Sequence, residues 1–502
     1  MASFFRFLVL MQLCAAAALA QAAVVTGGPM LGHATSRTAS LWLQADGKSE
    51  AQIEYWLEQD PRIRRLSEPT RLDEATDFSA RIELTDLRPD AQYRYSVFLD
   101  GQRVLNGSDL RLRTLPAWKW RGAPPDFVVY LGSCAYLNDP EWDRPGKPYG
   151  GGEGIYATIA AAAAANPRPS LMLWLGDSLY FRETDYESPW AMNARYRVSR
   201  SHPVLQPLLR ATRHYAIWDD HDYGPNNGNR SFEFRDTSTT LFQRYWANPS
   251  YGQSDLPGVY TRFSFLDADF FLLDDRTYRA SDTTVAAVSK ESKWWQEVRD
   301  FAIGSNAYTR LLGRLYVGGS PTWLGENKTL FGPGQLNWLK QALIASTATF
   351  KIVVSGSQLL NDANAFEGWQ NFKPERDAFV DWLSRQKIEG VLFLSGDRHH
   401  TELIRREREN DYPLYELTCS PLSAAAAVPE AEKENPQRME GTLVSQRNYC
   451  TLVAVGSPND RQLVLRAHDG AGRVLWEKRL TASELKAPLP ESEESPFIPG
   501  SE

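Results

Sequence analysis

Cysteine, histidine and long apolar runs are all scarce in this 502-residue sequence, which has four cysteines and seven histidines. It contains no stretch of about 18 apolar residues, the length that a membrane-spanning helix requires. Basic residues are also in deficit, with 55 Lys and Arg against 62 Asp and Glu and a net charge of -7. This balance excludes nucleic acid as a delocalised electrostatic partner, whereas bound cations would still attract a small anionic substrate.

The beginning of the chain has the character of a secretory signal peptide. A weakly positive start precedes an apolar run from Phe7 to Ala20, and small-x-small patterns end at Ala20 and Ala23. We therefore expect residues 1–23 to be cleaved and the mature protein to be periplasmic or secreted. A membrane anchor is the alternative interpretation, and the sequence has no twin-arginine motif.

The cysteines beyond the signal peptide are of two kinds. Cys134 ends a strand-like run among metal-ligand residue types, and we assign it to a metal, with a buried structural thiol as the alternative. Cys419 and Cys450 lie on two strand-like runs that a polar loop separates. They form either a disulfide or two buried free thiols.

The periodicity of the apolar residues divides the chain. Residues 24–117 alternate in short runs, which predicts a small N-terminal β-sandwich. Between residues 126 and 485, strand-like runs alternate with helical stretches, including six alanines that end before Pro167, and this predicts an α/β fold. Residues 486–502 are rich in Pro, Glu and Ser, and we expect a flexible tail there.

Five apolar, strand-like runs each stop at a cluster of metal-ligand residue types. The clusters are Gly132–Cys134, Gly176–Tyr180, Asp219–Gly224, Asp274–Arg276 and Ser395–His400. In open α/β sheets, ligands bind just beyond the carboxyl ends of the strands. The pattern therefore predicts a polynuclear metal site on the rim of a sheet.

The residue types in these clusters suit different cations. Asp177 offers a carboxylate that can bridge two ions, and Tyr180 offers a phenolate, which favours a hard trivalent ion such as Fe(III). Cys134 adds a thiolate, while Asp397 and His399 place a carboxylate and an imidazole beyond one strand. Each type could instead have a purely structural role.

The segment from Asp219 to Asp222 places three carboxylates and one imidazole in a single loop. Such a density of carboxylates repels itself unless cations neutralise it, although Asp219 and Asp222 could simply cap a helix. A polynuclear site binds a phosphoryl oxygen and activates water for in-line attack. An imidazole that is not a ligand can protonate the leaving oxygen, and His221 is the candidate for that role.

Five motifs also resemble those of a known family: Gly132–Cys134, Gly176–Tyr180, Trp218–Gly224 with Asn226, Leu273–Arg276 and Ser395–His399. They resemble the PhoD-like alkaline phosphatases of the calcineurin-like metallophosphoesterase superfamily, over nearly the whole mature chain. The resemblance implies a four-layer α/β/β/α sandwich after a small β-sandwich. It also implies hydrolysis of phosphate esters by a metal-bound water in an exported enzyme.

By position, the resemblance implies that Fe(III) is held by Cys134, Asp177, Tyr180 and His399. It implies that Ca(II) lies on the other side of Asp177 and is held by Asp220, Asn226 and Asp397. His221 takes the position of the family's catalytic histidine, and Asp177 is the second residue with an implied catalytic role. Arg276 or Arg398 would bind phosphate oxygens.

Other functions remain open from the residues alone. Within the same class, the substrate is either a small phosphomonoester or a diester, as in a phospholipase D-like enzyme acting on lipids or wall polymers. A hydrolase of sulfate esters or amides would use a similar site. A non-catalytic exported binding protein with a structural metal site is the alternative from another class, and the sequence leaves the oligomeric state open.

Overall fold

The computed structural model describes residues 23–137, 148–281, 328–364 and 366–488. The predicted signal peptide, apart from Ala23, and residues 489–502 of the predicted tail lie outside these ranges. The described residues form twenty strands, seven α-helices and four short 3-10 turns, arranged in three sheets. No helix in these ranges has the length and apolar character needed to cross a membrane.

The strands are β1 (Val25–Ala34), β2 (Ala39–Ala45), β3 (Ser49–Leu57), β4 (Asp60–Leu66), β5 (Thr70–Leu72), β6 (Ser79–Leu84), β7 (Gln92–Leu99), β8 (Gln102–Arg113), β9 (Phe127–Gly132), β10 (Ser170–Leu175), β11 (Arg213–Ile217), β12 (Thr261–Phe265), β13 (Ala268–Leu272), β14 (Phe350–Val354), β15 (Val391–Ser395), β16 (Glu402–Arg408), β17 (Asp411–Thr418), β18 (Asn448–Val455), β19 (Gln462–Asp469) and β20 (Val474–Thr481). The helices are α1 (Gly154–Ala165), α2 (Pro189–Ser201), α3 (Gln206–Ala211), α4 (Asp220–Tyr223), α5 (Arg235–Tyr245), α6 (Gly332–Ile344) and α7 (Lys373–Arg385). The 3-10 turns are Glu74–Thr76, Pro203–Leu205, Trp369–Phe372 and Glu430–Glu432.

The largest sheet has nine strands in the order β20-β19-β18-β9-β10-β11-β1-β2-β6. Its central strands β9, β10 and β11 run parallel, and nearly all their residues are buried. Continuous apolar sequences of this kind are typical of strands that are covered on both faces. The helix predicted from the alanine run is confirmed as α1, which ends immediately before Asn166 and Pro167.

A second sheet has six strands in the order β12-β13-β14-β15-β17-β16, with β13, β14, β15 and β17 parallel. The two sheets share one hydrophobic core. Across it, the ring centroids of Phe127 and Phe265 are 5.4 Å apart, and Tyr215 stacks on Phe263 at 3.7 Å. This packing aligns the parallel strands of both sheets around one common edge, where the predicted site lies.

The N-terminal strands form a sandwich, and its two layers belong to different sheets. One layer is a separate sheet of β4, β3, β7 and β8, with β5 paired to β3. The other layer, β1, β2 and β6, continues the nine-stranded sheet, because β1 pairs in parallel with β11 at Leu31 and Arg213. The predicted strands are therefore present, and the boundary drawn after residue 117 stays a prediction.

Cys419 and Cys450 form a disulfide, with their Cα atoms 6.1 Å apart and a sequence separation of 31. Of the two alternatives left open above, the structure has the cross-link. It joins the end of β17 to β18 and so closes the loop 421–447 at its base. A disulfide that closes a loop of this length stabilises a fold by about 3 kcal/mol. Cys134 is the buried free cysteine.

Candidate metal centre

The predicted ligands lie beyond the carboxyl ends of β9, β10 and β11 in the nine-stranded sheet and of β15 in the six-stranded sheet. Cys134 follows β9, Asp177 follows β10, and Asp397 and His399 follow β15. Asp220 begins the short helix α4, which follows the end of β11 at Ile217. Since parallel strands deliver their carboxyl ends to one edge, the sequence brings these side chains together through the topology of the two sheets.

The backbone at this edge adopts conformations that L-residues rarely take. Four of the predicted ligands have left-handed φ angles: Cys134 (54°), Asp177 (50°), Asp397 (63°) and His399 (57°). Each costs about 1–3 kcal/mol, and such residues persist where the surrounding structure holds them for a functional reason. Gly176 precedes Asp177 at φ 86°, and a Cβ there would lie 2.6 Å from the Cβ of Asp219.

The first ligand group consists of Cys134, Asp177 and His399, whose ligand atoms all lie within 4.8 Å of one another. The Cys134 Sγ is 3.6 Å from Asp177 Oδ2. Tyr180 joins this group, because its hydroxyl is 3.4 Å from His399 Nε2. The structure thus brings together all four residues predicted to hold iron.

Tyr149 lies in the same place and was not predicted from the sequence. Its hydroxyl is 3.0 Å from His399 Nε2, closer than that of Tyr180. Its ring also contacts Tyr136, with centroids 4.8 Å apart. Tyr149 precedes three glycines rather than following a strand, so the strand-end pattern gives no signal for it.

The second ligand group consists of Asp177, Asp220 and His221, again with ligand atoms within 4.8 Å of one another. Asp177 belongs to both groups, as a bridging carboxylate would. The backbone N–H of His221 donates to Asp177 Oδ1 at 3.3 Å, and its ring stacks on Tyr180 with centroids 4.2 Å apart. The His221 side chain keeps 11% of its surface exposed.

The two remaining predicted calcium ligands differ in their surroundings. Asp397 is held 3.5 Å from the Arg398 guanidinium, and its Oδ2 has no hydrogen-bond partner among the described residues. Asn226 is exposed, and its amide donates to Asn227 Oδ1 at 2.7 Å. The Asn227 backbone N–H donates in turn to Asp220 Oδ2 at 2.7 Å. The loop therefore positions Asp220, and ligation by Asn226 stays a prediction.

A third acidic group, Asp219, Asp220 and Glu367, adjoins the second. Here guanidinium groups already neutralise the carboxylates. Arg276 bonds to Asp219 and lies 3.0 Å from Glu367, and Arg279 lies 2.7 Å from Glu367. Burial opposes the ionisation of Glu367, but the two guanidiniums outweigh it and lower the pKa of Glu367 to about 2. We therefore interpret this group as an ion-pair cluster and not as a cation site.

The two arginines predicted to bind substrate are Arg276, which belongs to this arginine-carboxylate cluster, and Arg398. Arg276 has no exposed surface, and its guanidinium also contacts Ser357 Oγ at 3.2 Å. Arg398 is 7% exposed and pairs with Glu432 and Asp397. In the structure both guanidiniums form ion pairs with carboxylates, and their contact with phosphate stays a prediction. Glu367, like Tyr149, does not follow a strand, and the sequence pattern missed it.

The pKa shifts in the first two ligand groups indicate that their ionised forms need nearby positive charge. Burial is the main cause that raises the pKa of Asp177 and of Asp220 well above the usual carboxyl range, and neighbouring anions add to it. Burial likewise raises the pKa of the Cys134 thiol to about 11. Asp220 Oδ1 is also buried without a hydrogen-bond partner in the described chain. Bound cations would satisfy these donor atoms and favour their ionised forms, so the residues fit a metal centre.

Several residues hold the ligands in place without joining them. Asp222 accepts the backbone N–H of Ser178 at 2.9 Å and that of Asp219 at 3.0 Å, which is the capping role that the sequence suggested. Ser420 Oγ lies 3.1 Å from the Cys134 Sγ, and the Nδ1 of His399 lies 2.5 Å from the Ala425 carbonyl. Such contacts orient metal ligands and are usually needed for affinity.

Comparison with known proteins found two family models and several solved structures that are similar to this chain. A family model for PhoD-like phosphatases matches residues 127–457. A second family model, for a domain of unknown function, matches residues 22–116. No curated protein sequence matches the chain.

Two solved structures share the fold. One, described as the structure of PhoD, is 16% identical and covers 90% of this chain and 91% of its own, with a TM-score of 0.64. The other is the purple acid phosphatase PPD1 from seeds of yellow lupin (Lupinus luteus). It is 10% identical, and the alignment covers 92% of this chain and 74% of that one with a TM-score of 0.59. At these identities the likeness extends to the fold, which has mixed α/β sheets and few helices.

Proposed function

Because the chain belongs to the PhoD-like phosphatase family and is thus a phosphoric ester hydrolase, we propose that it is an exported phosphoesterase with an Fe(III) and Ca(II) centre. One observation carries this proposal above all. The carboxylate of Asp177 is shared by two ligand groups at the strand ends, one of which contains a thiol and the other only oxygen and imidazole donors. That asymmetry suits two different cations.

The donor sets support a specific assignment. Cys134, Tyr180, Asp177 and His399 would hold the iron, since thiolate and phenolate favour a trivalent ion. Asp177, Asp220, Asp397 and Asn226 would hold calcium, which prefers oxygen ligands. Such cations polarise a phosphoryl oxygen and lower the pKa of a water molecule.

His221 is placed to act on the leaving group. Its ring is stacked on the Tyr180 ring, its backbone N–H is bonded to Asp177, and 11% of its side-chain surface is exposed. A proton donated from its imidazole nitrogen to the leaving oxygen would prevent an unstable alkoxide from forming. We assign Arg398, which is 7% exposed and lies beside Asp397, to the phosphate oxygens in preference to the fully buried Arg276.

The remaining details of the proposal concern architecture and location. The face-to-face packing of the nine- and six-stranded sheets supports a four-layer α/β/β/α sandwich over residues 126–485. The apolar run before Ala20 supports export by a signal peptide. Small phosphate esters are the proposed substrates, and lipid or wall-polymer diesters are the alternative.

The proposal is tested by hydrolysis assays of the mature protein with one generic phosphomonoester and one generic phosphodiester. With iron and calcium present we expect turnover of at least one ester, and we expect a strong chelator to remove it because the ligand carboxylates would lose their shared cations. Metal analysis before and after chelation checks the cause. Absence of turnover by the iron- and calcium-loaded protein with both esters would contradict the proposal, and the rate ratio would separate phosphatase from phosphodiesterase.

The role of His221 has its own test. We expect His221→Asn to lower kcat about 10²-fold for an alkyl phosphate ester, whose leaving oxygen needs a proton. The loss should be much smaller for a nitrophenyl ester, because nitrophenolate leaves without protonation. His202→Asn, at the end of α2, serves as the matched control. An equal loss with both esters, accompanied by loss of bound metal, would show that His221 is a ligand and not the proton donor.

A further inference from the structure

A cavity of about 880 Å³ lies at the opposite edge of the nine-stranded sheet from the metal centre. It is lined by the amino ends of β10 and β11, at Ser170 and Arg213, whereas the proposed ligands follow the carboxyl ends of the same strands. Its other walls include parts of β1, β2 and β8 of the N-terminal sandwich, one face of α1, and α3. Its volume lies within the range of small-molecule binding sites, which is about 300–1,000 Å³.

One wall of the cavity carries a buried guanidinium without a counter-ion. Arg213 is 8% exposed, and it donates only to the backbone carbonyls of Ser170 and Arg113. Among the described residues no carboxylate lies within ion-pair distance of it. Burial is the main cause that lowers the pKa of Arg213, and the neighbouring Arg113 guanidinium adds to it. A buried charge without a partner is costly, and a bound anion would relieve that cost.

Guanidinium groups outnumber carboxylates in the lining of the cavity. Besides Arg213 it contains Arg111, Arg113, Arg168 and Arg210, against the single carboxylate of Asp109. Arg210 pairs with that carboxylate at 3.1 Å, and Arg113 and Arg168 pair with Asp90 and Asp126, which lie outside the lining. Among the described residues, Arg111 and Arg213 are the lining guanidiniums without a carboxylate partner, and they leave the lining positive. The protein as a whole has a net charge of -7, so this concentration of guanidiniums departs from its general character. A local positive field in a concave site attracts anions.

The wall of the cavity that α1 forms is apolar. The cavity is lined by six alanines of α1: Ala157, Ala160, Ala161, Ala163, Ala164 and Ala165. Side chains that end at Cβ leave room beside the helix and offer no hydrogen bonds. A ligand that fills the cavity therefore needs an apolar body as well as an anionic group.

We propose that this cavity binds a small organic anion, whose charged group pairs with Arg213 and whose apolar body lies against the alanine face of α1. The site is separate from the metal centre, and its ligand is bound without being hydrolysed. Because the walls come from both β8 and α1, the ligand joins the N-terminal sandwich to the rest of the fold.

Calorimetric titration of the full mature protein tests the proposal with three probes: octanoate, octylphosphonate and the uncharged octanol. We expect at least one of the two anions to bind, and octanol to bind at least tenfold more weakly, because only the anions pair with Arg213. Octanoate and octylphosphonate distinguish carboxylate from phosphonate head groups. No binding of either anion at millimolar concentration, or equal binding of octanol, would overturn the proposal.

Variants locate the binding. Arg213→Gln is expected to weaken anion binding at least tenfold. Ala164→Glu, which adds a negative charge on the exposed side of α1 within the cavity, should do the same even if the buried Arg213 variant does not fold. Thr240→Glu on the exposed face of α5 is the matched control and should bind normally. Binding that survives Ala164→Glu but is lost in Asp177→Asn would place the anion at the metal centre and overturn the proposal.

Discussion

Asp177→Asn is expected to lower kcat/KM for phosphate-ester hydrolysis by about 10³-fold or more, while the fold stays intact. Cation-based stabilisation of the transition state contributes several kcal/mol, and Asp177 is the one carboxylate common to both ligand groups. The asparagine keeps the size of the side chain, so the left-handed turn after β10 can persist. Since burial already raises the pKa of Asp177, a neutral side chain is compatible with this position in the metal-free protein.

The measurement combines kcat/KM, bound iron and calcium, and the midpoint of thermal unfolding. Asp86→Asn is the matched control, because its carboxylate is exposed and far from the strand ends that carry the ligands. The control should match the parent protein in all three quantities. A variant at Asp177 that retains full activity would exclude the centre as the site of hydrolysis, whatever its metal content.

Arg276→Met is expected to lower the free energy of unfolding by about 3–5 kcal/mol, the usual result of removing one partner from a buried ion pair. Without the guanidinium, Asp219 would keep a buried charge without a counter-ion, and Glu367 would retain only Arg279. Asp219 and Glu367 adjoin Asp220, a proposed calcium ligand. We therefore also expect the Arg276→Met variant to bind calcium more weakly. Denaturant unfolding of the chelated protein measures the first effect without interference from metal binding.

This prediction separates two roles for Arg276. If it positions carboxylates, stability falls; if it binds substrate phosphate, KM rises and stability changes little. Arg64→Met is the matched control, because Arg64 pairs with Glu54 at 2.8 Å but is 42% exposed, and exposed pairs contribute about 1 kcal/mol or less. An Arg276 variant as stable as the Arg64 variant would contradict the structural role.

The strand-end pattern predicted much of the site because its physical basis is simple. Cys134, Asp177 and His399 each follow a buried parallel strand, and the packing of the two sheets on one core brings these strand ends together. Tyr149 and Glu367 reach the same place from segments that do not follow a strand, so only the folded chain reveals them. Neither could be found by periodicity or by spacing.

The sheet to which β1 belongs and the burial of Arg276 could not be predicted from the sequence, for a related reason. Alternation correctly predicted strands in the N-terminal region, but it does not specify which partner a strand chooses. Strand β1 pairs with β11 through contacts distant in the chain, and that choice depends on packing of the whole sheet. The complete burial of Arg276 likewise results from carboxylates contributed by two other loops.

The pairing of β1 with β11 has a consequence for how the chain acquires its structure. Strand β1 leaves one edge unpaired until β11 is available, and β11 comes after α1, β10 and α2 in the chain. Closing so long a loop is slow, and an open strand edge invites pairing with other molecules. The N-terminal sandwich has a hydrophobic core of its own, but the open edge of β1 stays available to other molecules until β11 pairs with it.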